Sequence, residues 1–284
     1  MSASTTTVGL AGLTLAGPVL VAAGCGGTGR ELAPYLPGGD LGALGAFVTR
    51  SVTLNPRPGD HPPRVLETPS GMLHATGQPS AGLEPFLAGE LPWLARSGTR
   101  VVVSIGGATL GEHAEVARRL GRAPGLAAIE VAVGGEPFHA AALVGAVARD
   151  LPRGIPVLAK LRPALGRVAE PARAVLDAGA GAVVVGGALP AALPDGRDAG
   201  LSGPAIRPVA LRCVTEVRAA LPDAEIVGCG GIATAADARS FLDAGAIAVQ
   251  VGTALLHDPT TIARLASELA TMAGEPAPRT EETP

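Results

Sequence analysis

The sequence predicts an α/β protein built as a single (β/α)8 TIM barrel. Three observations carry that prediction: eight short apolar runs rich in Val and Ile, helical spacing between most of them, and a length of 284 residues, close to one complete barrel. The runs lie at residues 19–23, 46–50, 101–105, 128–133, 157–161, 182–185, 225–227 and 248–251. They are continuous rather than alternating, as expected of parallel strands covered on both faces. Helical spacing occurs at 112–120, 138–150, 168–178, 204–221, 235–244 and 259–272. Eight strand–crossover units are the number that closes a barrel. A doubly wound open sheet is the alternative, but it needs a reversal point in strand order. Residues 1–273 read as one domain, and the polar, Pro-rich stretch 274–284 reads as a disordered tail.

Composition excludes several functions. Net charge is −3, Lys and Arg are scattered and aromatic residues are only 2%, which argues against a nucleic-acid surface. Apolar residues make up 47%, yet no run reaches the length of a membrane span. The start, MSASTTTVGL, lacks the basic and apolar regions of a secretory signal, so a cytoplasmic protein is expected. Cys25, Cys213 and Cys229 are sparse and odd in number, which fits a reducing compartment; none forms a C-x-x-C pair, so no metal site is expected.

The strand ends carry the chemistry. Gly106-Gly107, Gly134-Gly135, Gly186-Gly187, Gly228-Cys229-Gly230-Gly231 and Gly252-Thr253 follow the third, fourth, sixth, seventh and eighth runs. Glycine lets a backbone approach a ligand closely, and in barrels the tips of the last two strands commonly hold a phosphate on main-chain N–H groups. Two long segments, 53–80 and 188–204, follow the second and sixth strands on the same face. Lys160, the only lysine of the chain, ends the fifth strand, where a barrel mouth would use an ammonium to stabilise negative charge or form a Schiff base. A competing pattern, Gly24-Cys-Gly-Gly-Thr-Gly29 with Asp40 downstream, matches the dinucleotide fingerprint. In a chain with 40 glycines that lone match is weak. His113 and His257 read as surface residues, and Asp177 and Asp243, each before Ala-Gly-Ala, read as helix ends.

At these residues the chain resembles the dihydroorotate dehydrogenase family, closest to the class 1 enzymes of the 1B kind. The resemblance runs from about Val8 to Leu269. Its most specific stretches are Leu54-Asn-Pro-Arg-Pro-Gly59, Glu67-Thr-Pro-Ser-Gly-Met-Leu73, Leu201-Ser-Gly-Pro-Ala-Ile-Arg-Pro208 and Val249-Gln-Val-Gly-Thr-Ala-Leu255. It implies FMN in the barrel mouth. Ala22, Ala23 and Gly24 would lie against the ring, with Arg50, Ser51 and Ser104 also on the flavin. Lys160 would meet the N1/O2 edge, and Gly203, Gly230, Gly231, Gly252 and Thr253 would hold the phosphate region. It also implies a homodimer and, in the 1B kind, an electron-transfer subunit.

The departures are equally specific. Where the family has Asn-Ile-Ser-Cys-Pro-Asn, this chain has Ala132-Val-Gly-Gly-Glu-Pro137, so the basic cysteine becomes Gly135. The substrate asparagines become His74, Ala132 and Gly187; the flavin-side asparagine becomes Ser104 and a lysine becomes Arg50. Losing these groups leaves a wider, less polar pocket. His74, Glu136 and His139 are the candidates for a replacement base, and Arg50 for a carboxylate clamp. The expected function is an FMN-dependent oxidoreductase acting on a different small molecule, of the kind met in specialised metabolism. The alternatives are a lyase, isomerase or cyclase without flavin, or a non-catalytic partner subunit.

Overall fold

A computed structural model of the chain describes residues 7–134 and 136–274. Gly135 therefore lies outside the described residues, as does the expected disordered tail beyond Gly274. The β-branched runs form eight strands: β1 Val19–Val21, β2 Ala46–Val48, β3 Val101–Ile105, β4 Leu126–Val133, β5 Val157–Leu161, β6 Ala182–Gly186, β7 Ile226–Cys229 and β8 Ala248–Val251. They close into a barrel in chain order, and β8 returns parallel to β1 with Val249 opposite Val19. The closed parallel ladder excludes the open-sheet alternative.

The first two strands end earlier than their apolar runs. After Val21 the chain turns at once, with the Cys25 amide donating to the Ala22 carbonyl at 3.2 Å. After Val48 the Thr49 hydroxyl donates to the Arg50 carbonyl. Ala22, Ala23 and Arg50 therefore belong to the rim of the mouth.

The main helices are α1 Leu91–Arg96, which the helical turns Leu83–Pro85 and Phe86–Glu90 lead into, α2 Leu110–Leu120, α3 Pro137–Asp150, α4 Ala169–Asp177, α5 Arg207–Ala220, α6 Ala235–Asp243, α7 Thr253–His257 and α8 Thr261–Gly274. Thr109 caps α2 by accepting from the Glu112 amide, and Thr234 with Asp237 forms a reciprocal capping box on α6. Asp177 and Asp243 end α4 and α6, as expected. His113 differs from its surface reading: it is 7% exposed, and its Nδ1 lies 2.9 Å from the Thr109 carbonyl. It faces the barrel because it shares the inner stripe of α2 with Val116, Ala117 and Leu120. The first crossover holds only the short turns Ala33–Tyr35, Pro37–Gly39 and Leu41–Ala43. The G-x-G-x-x-G segment thus opens no helix, and Asp40 accepts from the Gly42 amide as a turn cap.

Two apolar layers result. One lies between strands and helices and includes Phe47, Ile129 and Phe241; the other fills the lumen with Leu20, Ala46, Val48, Val102, Ala128, Leu158, Val184 and Val227. An N-terminal hairpin, Val8–Leu10 with Leu13–Leu15, closes the lower end with Leu10 and Leu15. Over the mouth, Val65–Thr68, Gly71–His74, Leu189–Ala192 and Asp198–Ser202 form an antiparallel sheet. It joins the two long segments by pairing His74 with Gly200 and Ser202 with Met72. Arg197 fastens this lid, donating to the carbonyls of His61 and Pro63 at 2.9 Å each. Among the described residues, no helix is long and apolar enough to cross a membrane.

Phe241 packs against Gly228, where an added Cβ would lie 2.4 Å from its Cδ1. Because this fully buried ring joins α6 to β7, Phe241→Ala is expected to lower unfolding stability by about 3–5 kcal/mol in a urea titration.

Candidate active site

Inside a barrel strand, alternate residues face the lumen. Near the lower end these positions are apolar; one layer up they become Ser104, Glu130, Lys160 and Gln250. A charge there needs a partner, because the lumen removes it from water. The Lys160 Nζ donates to Gln250 Oε1 at 2.7 Å. Gln250 Nε2 donates across the lumen to Glu130 Oε2 at 2.5 Å. Glu130 Oε1 stands 3.5 Å from Lys160 Nζ, inside ion-pair range but long for a hydrogen bond.

Burial alone would depress the Lys160 pKa, but negative charge on Cys229, Glu130 and Cys25 acts the other way and, at the alkaline pH where the thiols ionise, holds it above the ordinary lysine value. Burial pushes Cys25 up to about 11 and raises Cys229 as well, so both thiols are neutral near pH 7. Glu130, 3.5 Å from Nζ and joined to it through Gln250, is the acidic side chain that faces the ammonium there.

Beside this layer, the tips of β7 and β8 form a cradle. Gly203, Gly230 and Gly231 have φ of 96°, 123° and 73°, conformations that favour glycine. A Cβ on Gly231 would lie 2.7 Å from the Arg207 Cβ, and one on Gly203 would lie 2.7 Å from the Gly71 Cα. The amides of Gly203, Gly230, Gly231, Gly252 and Thr253 have no acceptor among the described residues. Clustered free N–H groups on glycine backbone suit an anionic phosphate. Ala22 adjoins them: a Cβ on Gly252 would lie 3.4 Å from the Ala22 Cβ. Ala22 is buried, Ala23 is half-buried and Gly24 is exposed, with nothing within 4 Å of an added Cβ at Gly24.

On the opposite rim the Ser51 and Ser104 hydroxyls are 3.0 Å apart, tying the tip of β2 to that of β3. Arg50 is exposed and borders a cavity of about 440 Å³ with Thr28, Ser51, Arg57, Ser80 and Glu90. His74 lies on the lid strand Gly71–His74, paired with Gly200 on one side and Val65 on the other. A Cβ on Gly200 would lie 2.7 Å from both the His74 Cε1 and the Ala188 Cβ, so the ring packs over that glycine beside Ala188. The Lys160 Cε is the nearest atom to the space above Gly187. His74 and Lys160 thus flank the same segment, one from the lid and one from the lumen. Burial lowers the His74 pKa below its ordinary 6.5, so its imidazole is neutral at pH 7.

Glu136 and His139 are placed differently. Glu136 caps α3, accepting from the amides of Phe138 and His139, and both Glu136 and His139 are exposed. Glu130 and Gln250 were not singled out from the sequence. The available signal was a lone Glu and a lone Gln inside apolar strands, which are costly unless paired.

Known proteins resemble this chain over most of its length. The family model described as dihydroorotate dehydrogenase matches residues 5–272. The dihydroorotate dehydrogenase B (NAD(+)) catalytic subunit of Desulforudis audaxviator is 44% identical over 285 residues, covering 93% of this chain and 91% of that protein. The subunit of the same name from Pelobacter propionicus is 41% identical, covering 92% and 90%. A crystal structure of the Eimeria tenella enzyme in complex with ferulenol superposes with a TM-score of 0.81 at 20% identity, covering 94% of this chain and 84% of that one, which shows a shared fold. Dihydroorotate dehydrogenases of the B kind bind FMN. With its barrel, its glycine cradle and its match over almost the whole length, this chain belongs to the dihydroorotate dehydrogenase family.

Proposed function

We propose that this chain is an FMN-dependent oxidoreductase acting on a molecule other than dihydroorotate, less polar than it, with His74 as the base. The observation that carries this reading is an anion cradle and a charged Lys160 on one side of a mouth that has a neutral His74 on the other. FMN, when bound, supplies the acceptor for a hydride taken from the substrate.

Gly203, Gly230, Gly231, Gly252 and Thr253 would hold its phosphate on main-chain N–H groups. Ala22, Ala23, Gly24, Ser51 and Ser104 would line the ring, and Lys160 would neutralise the negative edge of the reduced form. His74, uncharged at pH 7, receives the substrate's proton at a ring nitrogen; its side chain makes no hydrogen bond among the described residues that would occupy both nitrogens. Arg50 offers a guanidinium at the rim for a substrate carboxylate or for the cofactor. Glu136 and His139 rank second as bases, since the Glu136 carboxylate already caps α3.

The substrate reading rests on what is missing. Ala132 stands opposite Lys160 in the β4–β5 ladder and is exposed, and Gly187 carries no side chain. By the family resemblance both places hold asparagines that grip orotate. The proposal extends to assembly: a homodimer, with an electron-transfer subunit as partner, which the relatives' description as catalytic subunits supports. The setting is a soluble cytoplasmic one.

Purified protein is expected to carry FMN equimolar with the chain, visible in its absorption spectrum. Gly231→Val should weaken FMN binding at least tenfold, or about 1.4 kcal/mol, because its side chain would enter the space of the Arg207 Cβ. A colourless protein that fails to take up added FMN would instead support the flavin-free lyase, isomerase or cyclase reading, or that of a non-catalytic subunit.

Dihydroorotate oxidation with a dye acceptor should run roughly 10²–10⁴-fold slower than in the Desulforudis audaxviator subunit, the usual contribution of a positioned base. The residual rate should rise with pH through a midpoint below 6.5 and stay flat above it, since only the unprotonated imidazole accepts a proton. That limb should vanish in His74→Ala; its survival, or a rate typical of the family, overturns the assignment.

A further inference from the structure

The polar layer beneath the mouth contains more than packing requires. Barrel lumens are filled by branched apolar side chains, and the lower part of this one is. A buried ion pair is weak evidence for stability, because desolvation of both charges offsets their attraction. Glu130 is 1% exposed and Gln250 0%, yet both stand where Val or Leu would fill the space.

The connectivity is directional. A carboxylate only accepts hydrogen bonds and an ammonium only donates them. Gln250 must therefore turn Oε1 to Lys160 and Nε2 to Glu130, and this is the arrangement found. β4 and β8 lie on opposite sides of the barrel, so the amide bridges the lumen. We propose that Glu130, acting through the Gln250 amide, is the positioning residue for Lys160: the bridge fixes where the ammonium stands and sets how much of its charge remains for a negative group in the mouth. This rests on the reading of Lys160 as the charge presented to FMN.

Geometry separates this role from plain neutralisation. Glu130 Oε2 is committed to Gln250, while Oε1 has no hydrogen-bond donor and meets Lys160 only at 3.5 Å. The carboxylate thus holds the ammonium at one remove and leaves it donors directed elsewhere. A direct two-point pair would tie up the lysine in a closed contact.

Lys160 is the chain's only lysine, so protein labelled with 13C at lysine Cε gives one lysine side-chain resonance. In the full-length chain that signal should not titrate below pH ~11, above the usual lysine range. In Glu130→Gln, which keeps shape and a hydrogen-bond acceptor, the neutral fraction at a given pH should rise at least tenfold. An ordinary titration in the native chain, or an unchanged one in the variant, overturns the proposal without reference to flavin. Because ionised Cys229 and Cys25 also raise the lysine at alkaline pH, both titrations are made in a Cys25→Ser, Cys229→Ser background, where a lysine still held above its usual range stands for the bridge even if Glu130→Gln does not fold.

A second arm uses FMN itself, below the lysine midpoint measured for each variant. Glu130→Gln should favour reduced over oxidised FMN roughly tenfold more than the native chain does, about 30 mV for a two-electron couple. The shift should disappear in a Lys160→Met background. A purely structural role would weaken both redox forms alike and would persist without the lysine, which also overturns the proposal. Failure of every form to bind FMN would strike the cofactor assignment and leave the lysine titration to decide the bridge.

Discussion

A single ammonium inside a closed barrel is the constraint around which the mouth is organised. The lumen is too dry for an unpaired charge, and Lys160 is placed there by the alternation of β5. Its partners must come from strands whose inward positions reach the same level. Gln250 on β8 and Glu130 on β4 do so from opposite walls. Once those three positions are polar, the layer beneath has to be sealed by hydrocarbon. Leu20, Val48, Val102, Leu158, Val184 and Val227 supply it. The mouth then has a charged floor on one side, and the remaining strand tips need only a smooth, small-residue surface.

That surface explains the glycine distribution better than composition does. At Gly186 a Cβ would meet the Cys229 carbonyl at 1.7 Å, and at Gly231 it would meet Arg207. Both residues also have positive φ. Glycine is needed there so that β6, β7 and the start of α5 can approach one another, the Gly187 amide donating to the Cys229 carbonyl at 3.2 Å. Gly38 and Gly196, by contrast, have open space around them and serve ordinary turns. The abundance of glycine thus conceals a few positions where nothing else fits.

The barrel was legible because it is written locally: apolar runs separated by helical spacing, each short enough to be read alone. Lys160 was legible because a lone lysine in an apolar strand has few explanations. Glu130 was not, because strands covered on both faces show no alternation, so nothing distinguishes an inward residue from an outward one. Its partner is 120 residues away and pairs with it only after closure. The lid was missed for the same reason. Its central pairing, His74 with Gly200, joins two segments that each look like Pro- and Gly-rich loop. The N-terminal hairpin escaped notice because three-residue strands carry too little pattern.

The division between lid and floor bears on how such a site changes substrate. Lys160 and the cradle belong to the barrel, where every position is constrained by ladder pairing and the lumen bridge. His74 belongs to a sheet anchored by two backbone pairings and by Arg197. A residue on the lid can be exchanged without disturbing the floor, whereas exchanging Glu130 or Gln250 strands a charge. The family resemblance assigns replacements to both parts: those at Ser104 and Arg50 fall on the flavin side of the barrel, within β3 and just past β2. Those at His74 and Gly187 fall on or next to the lid strands, and that at Ala132 falls at the open end of β4, above Glu130 on the same face. Lid and lumen are thus held by different contacts, the one by cross-strand pairing and Arg197, the other by the Lys160–Gln250–Glu130 bridge.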